Sequence, residues 1–136
     1  MKSHGLTALL AASALLALTL PVFAAMTAEE RRGATEAAEK IARKSAQYEL
    51  CGVANSADLR KSLLDFGRRC GATDADLKLI GGAYDRKRSE QMKALVNGNY
   101  VCPVPAASAR EMIARDLVAI GAVDCKPTPA QKSLIP

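Results

Sequence analysis

The sequence predicts an all-α protein, a small antiparallel four-helix bundle stapled by two disulfides. Three observations carry that reading. Apolar residues recur at helical spacing in four stretches, no alternating strand pattern lies between them, and four cysteines sit near the ends of those stretches.

The first helix opens at Thr27 with Glu30 three residues on, a capping-box pair, and carries Ala34, Ala38, Ile41 and Tyr48 to about Cys51, where Gly52 ends it. Its seam is mostly alanine, so neighbouring helices approach closely. The second is capped by Ser56 and places Leu59, Leu63, Phe66 and Cys70 on one face before Gly71. The third starts at Thr73 with Asp76 as box partner, presents Leu77, Ile80, Tyr84, Met92 and Leu95, and ends near Asn97 and Gly98. Gly81 and Gly82 lie inside it at a cost of about 1 kcal/mol each against alanine, which predicts a kink. The fourth is capped by Ser108 with Glu111 and aligns Ala109, Ile113, Leu117 and Ile120 before Gly121. The connections are short, so successive helices are expected to run antiparallel. Between the third and fourth, Cys102-Pro103-Val104-Pro105 reads as a stiff extended linker, with a recognition loop as the functional alternative.

Helix geometry selects the cysteine pairing. With helices running up, down, up, down, Cys51 and Cys102 fall at one end of the bundle, Cys70 and Cys125 at the other. Joining Cys51 to Cys70 would bridge most of the second helix, roughly 18 Å at 1.5 Å per residue, whereas a disulfide spans only about 4.4–6.8 Å between Cα atoms. The same objection removes Cys102 with Cys125, and the third pairing joins opposite ends. Cys51–Cys102 and Cys70–Cys125 remain, each closing a loop worth about 4 kcal/mol in the chain-entropy model. The spacings of 19, 32 and 23 residues contain neither the close pairs of a zinc site nor the C-x-x-C of a disulfide-exchange enzyme.

Residues 1–24 read as a cleaved signal peptide. Lys2 precedes an almost unbroken Leu/Ala run from Leu6 to Leu20, Pro21 breaks it, and cleavage is expected after Ala24. The apolar run is about 15 residues, short of the roughly 20 that span a membrane, so no membrane span is expected in the mature chain. Residues 25–125 form the helical domain and 126–136 a flexible Pro-containing tail. The expected location is the bacterial periplasm, or the medium beyond it, where cysteines pair oxidatively. Cleavage removes His4, the one histidine of the 136 residues. The mature chain therefore excludes Ser-His-Asp and Cys-His nucleophiles, imidazole bases and His-containing metal sites.

The formal charge of +5 suits solubility and falls short of a nucleic-acid arm. No Gly-rich phosphate loop or aromatic platform accompanies the basic residues, so nucleic acid is not an expected partner. Asp74 and Asp76 are accounted for by the helix dipole. Carboxylates at Asp58, Asp65, Asp85, Glu90, Glu111, Asp116 and Asp124 leave a carboxylate-dependent enzyme as a second alternative by count alone. No catalytic residue, cofactor or metal ligand is assigned. The candidate binding surface is Arg43, Lys44, Tyr84, Arg86, Lys87 and Arg88. The leading expectation is a non-enzymatic protein that binds another periplasmic or secreted protein, as an inhibitor, immunity-type or accessory factor. The first alternative is a binder of an anionic envelope component through the basic helix face.

Overall fold

The computed structural model describes residues 25–126. The leader expected over 1–24, and all of the expected tail except Lys126, lie outside the described residues. The fold is all-α: α1 spans Ala28–Leu50, α2 Ser56–Arg69, α3 Asp74–Asn97 and α4 Ala106–Ala122. Both disulfides form as geometry requires, Cys51–Cys102 and Cys70–Cys125, each with 5.1 Å between Cα atoms.

The starts of α1 and α3 obey local chemistry. Thr27 and Thr73 cap them, and Glu30 and Asp76 return the bond to the cap backbone. The other two starts differ from the sequence expectation. Ser56 is the first residue of α2 and the cap is Asn55, whose side chain makes no cap bond because it is drawn into the interior. α4 begins two residues before Ser108, directly after Pro105, and has no side-chain cap. Pro105 holds φ at −61°, which readies the backbone for a helix without one.

The first three helices end alike. After α1, Gly52 takes φ of 79° while its N–H bonds Glu49 and that of Val53 bonds Tyr48. After α2, Gly71 at 80° repeats the pattern with Arg68 and Gly67. This is the Schellman closure, in which a left-handed residue turns the chain so that the last carbonyls find donors. α3 ends at Asn97 with Gly98 as its cap, as expected, and the left-handed residue there is Asn99. Cys51 and Cys70 are themselves the C-caps of α1 and α2, so each disulfide is anchored on one of these turns.

Side-chain bonds give the helix directions. Arg31–Asp76, Ser45–Tyr84 and Glu49–Arg88 climb α1 and α3 together, so these two run side by side in the same sense. Against α3, α2 descends: Ser56 meets Tyr84, Arg60 meets Asp85, and Gly67 faces Leu77 and Ile80. α4 packs on α2 and less on α1, with little contact to α3. The principal helix contact is α1 with α3, a pair that a square up-and-down bundle sets on a diagonal. Small buried residues on both, Ala34, Ala38, Ala42 and Ala46 of α1 and Ala83 of α3, permit that approach. α3 runs without a break through Gly81 and Gly82. Gly81 instead makes room for α2, since a Cβ there would lie 2.9 Å from the Arg60 guanidinium.

The interior joins Leu59, Leu63, Ile80, Ile113 and Ile120 to a small polar centre of Ser45, Asn55 and Tyr84, and these last three are each at most 3% exposed. Ser45 Oγ donates to Asn55 Oδ1 (2.8 Å), and Asn55 Nδ2 donates to the carbonyls of Val53 (2.8 Å) and Ser45 (3.2 Å). With its hydrogen committed, Ser45 Oγ accepts from Tyr84 OH (2.9 Å), which in turn accepts from Ser56 Oγ (3.1 Å). One closed network ties α1, the α1–α2 turn, α2 and α3 together.

Candidate functional site

The six residues expected to share a binding surface do not share one. Successive helix residues are about 100° apart, so Arg86, Lys87 and Arg88 splay to different sides of α3. Arg88 turns inward to pair with Glu49 of α1, Lys87 pairs along its own helix with Glu90 (3.0 Å), and only Arg86 projects without a partner among the described residues. Lys44 reaches α4 and pairs with Asp116 (3.5 Å), while Arg43 stands exposed on α1. Tyr84 is wholly buried in the polar centre, which corrects its assignment to the surface. Its apolar ring and central place in the α3 stripe make it a core residue whose hydroxyl finds partners inside.

Several of the carboxylates pair with cations or serve as caps. Asp65 accepts from Lys61 and Arg68, and Asp85 takes a two-pronged contact from Arg60, both bonds 2.9 Å. Asp76 accepts from the Thr73 backbone and hydroxyl and from Arg31 Nε (2.5 Å); the backbone bond first, and then the guanidinium, hold its carboxyl below the usual range. Tyr48 donates to Asp116 Oδ2 (2.5 Å), and burial together with that carboxylate pushes the phenol well above its ordinary value. These contacts are ion pairs, a helix cap and a phenol-to-carboxylate bond that tie the helices together. Among the described residues no cluster of three or more His, Cys, Asp or Glu is placed to hold a metal ion.

Two concavities among the described residues bear on the site. The larger, about 520 Å³, lies beside the Cys70–Cys125 disulfide and includes Phe66, Ala34, Lys40 and Lys126. The smaller, about 310 Å³, lies between the start of α1 and the middle of α3.

The surface that stands out for contact is the loop between α3 and α4. Its first end is closed by Asn99 N–H to Val96 and Tyr100 N–H to Leu95, and its last by Pro105, whose carbonyl accepts from Ala109 at the start of α4. Midway, Cys102 is bonded to the C-cap of α1. Cys102 and Val104 pack against the core, while Val101 points the other way and is 82% exposed. Val96, in the last turn of α3, is a second exposed valine nearby. Sequence reasoning singled out the Cys-Pro-Val-Pro segment but not the two valines before it, because exposure of one apolar residue depends on the direction the closing turn takes.

Fold and surface together define a disulfide-stapled helical bundle that displays one stiffened loop. Comparison with protein-family models, curated proteins and solved structures yields no match.

Proposed function

We propose that this protein is exported to the bacterial periplasm and acts there, without catalysing a reaction, by binding another protein as an inhibitor or accessory factor. The observation that carries this reading is Val101, an apolar side chain held 82% exposed by a loop that a disulfide and two prolines constrain. An exposed valine in a mobile loop is ordinary. One held outward in a constrained loop loses little conformational freedom on docking, so more of its burial appears as affinity. Fully burying a valine is worth about 1.5 kcal/mol or more, above the roughly 1 kcal/mol that most interface residues fall short of. Two disulfides support the compartment, as does the finding that no described helix is long and apolar enough to cross a membrane.

The test is photo-crosslinking in producing cells with p-benzoylphenylalanine in place of Val101 or, as a control, of Val118, which is 73% exposed on α4. The expected result is one discrete protein adduct from position 101, none of that mass from 118, and loss of partner capture in Val101→Asp. The same adducts from both positions, or none from position 101, would overturn the reading.

A further inference from the structure

The smaller groove has an unusual lining. Arg31 and Arg32 of α1 face Arg86 and Leu79 of α3 across it, with Glu36 as its one carboxylate. Arg31 is committed through Nε to Asp76, and the Thr35 hydroxyl, also in the lining, donates its hydrogen to the Arg31 carbonyl (2.9 Å). Arg32 and Arg86 have no hydrogen-bond or ion-pair partner among the described residues, as is true of Arg43, Arg110 and Arg115 elsewhere on the surface, but here two such groups from different helices share one concavity. They line it beside the Arg31 guanidinium, which also reaches the Met26 carbonyl (3.5 Å), and a single carboxylate leaves the groove positive.

We propose that this groove binds a phosphate ester, with Arg32 and Arg86 donating to it, one from each helix. A guanidinium is a planar fork that satisfies two oxygens at once. One fork saturates a carboxylate, so two forks suit an anion with more than two oxygens in tetrahedral array. Leu79, 57% exposed at the same groove, offers an apolar wall to the organic part of the ester. Such an ester reaches the groove either as a soluble molecule or as a phospholipid headgroup. The site is distinct from the Val101 loop and does not rest on the reading above.

The experiment follows the side-chain Nε–H resonances of arginine in the disulfide-intact protein at low salt, titrated with glycerol 1-phosphate, alongside co-sedimentation with phosphatidylglycerol and phosphatidylcholine vesicles. Arg32 and Arg86 signals are expected to move together and saturate. Arg32→Glu and Arg86→Glu are each expected to weaken binding at least ~10-fold, and Arg43→Glu, an exposed arginine outside the groove, to leave it unchanged. Circular dichroism checks that the variants fold, and Arg86→Lys, which keeps the charge and loses the fork, gives an intermediate loss. Movement with glycerol 1-phosphate identifies a soluble source; co-sedimentation with phosphatidylglycerol alone, lost in the same two variants, identifies the headgroup. Silence in both assays overturns the proposal. So does Arg43→Glu weakening binding as much as the groove variants, which is the mark of diffuse charge.

Discussion

Replacing Tyr84 with phenylalanine deletes one oxygen from the middle of the interior and leaves its shape almost unchanged. That oxygen donates to Ser45 Oγ and accepts from Ser56 Oγ, and neither Tyr84 nor Ser45 is exposed to water that would substitute. A neutral hydrogen bond is worth about 0.5–1.5 kcal/mol net, and a buried partner left without one costs about 1–3 kcal/mol. Ser45 keeps its bond to Asn55, so its loss is partial, which places the expected destabilisation of Tyr84→Phe at about 2 kcal/mol. For a domain of about 100 residues this lowers Tm by roughly 10 °C. Tyr84→Ala, which also empties the ring's volume, is expected to cost about 3–5 kcal/mol. Urea unfolding with the disulfides intact gives the difference directly, and Ser45→Ala completes a double-mutant cycle whose coupling is expected to be at least about 0.5 kcal/mol. A Tyr84→Phe loss below about 0.5 kcal/mol, or strict additivity with Ser45→Ala, would refute the view that this centre is a single network.

Three further outcomes follow from the ion pairs. The Asp76 carboxyl is held below its ordinary value of 3.8, so its stabilisation is present above that value and lost as pH falls through the lower folded one; Asp76→Asn is expected to be less stable than the parent at pH 7 and to converge with it in acid unfolding near pH 2. Tyr48 has the opposite sign: its folded phenol ionises above the ordinary 10.0, so the protein is expected to lose stability as pH rises past 10, and denaturation curves of Tyr48→Phe are expected to lack that part of the decline. Arg88→Ala, which strands Glu49 at the α1–α3 contact, is expected to destabilise more than Arg86→Ala or Lys87→Ala, each within about 0.5 kcal/mol of the parent by thermal melting.

Local signals were legible in the sequence where one residue decides its own conformation. The Thr27/Glu30 and Thr73/Asp76 boxes act within one turn, and both caps form. The cysteine pairing was legible too, because a rise of 1.5 Å per residue makes the wrong pairings too long. Ser56 and Ser108 have the right side chains for caps but not the positions: Ser56 is engaged by Tyr84, and Pro105 sets the start of α4 ahead of Ser108. The polar centre unites residues 39 apart in sequence, Ser45 and Tyr84, and no spacing rule announces that meeting. The run Arg86-Lys87-Arg88 looks like one patch in a linear reading, and the helical turn divides it. Short loops indicated the packing of α2 on α1 and on α3, but not the lateral contact of α1 with α3, which depends on how small their facing residues are, nor the packing of α4 on α2 in place of α3.

The two cross-links interleave: Cys70 lies inside the loop closed by Cys51–Cys102, and Cys102 inside the loop closed by Cys70–Cys125. A protease that cuts once anywhere from Gly52 to Asp124 therefore severs the backbone without dividing the molecule. A cut in α2 is spanned by the first bond, one in α4 by the second, and one in α3 by both. Such a nick would be silent on a non-reducing gel and visible only after reduction. Between Cys51 and Cys125, release of a fragment by two cuts demands that both fall between the same neighbouring cysteines, whereas α1 lies outside both loops and a single cut there is bridged by neither bond; the wiring of the cross-links thus gives the last three helices a tolerance to endoproteolysis that neither bond gives alone.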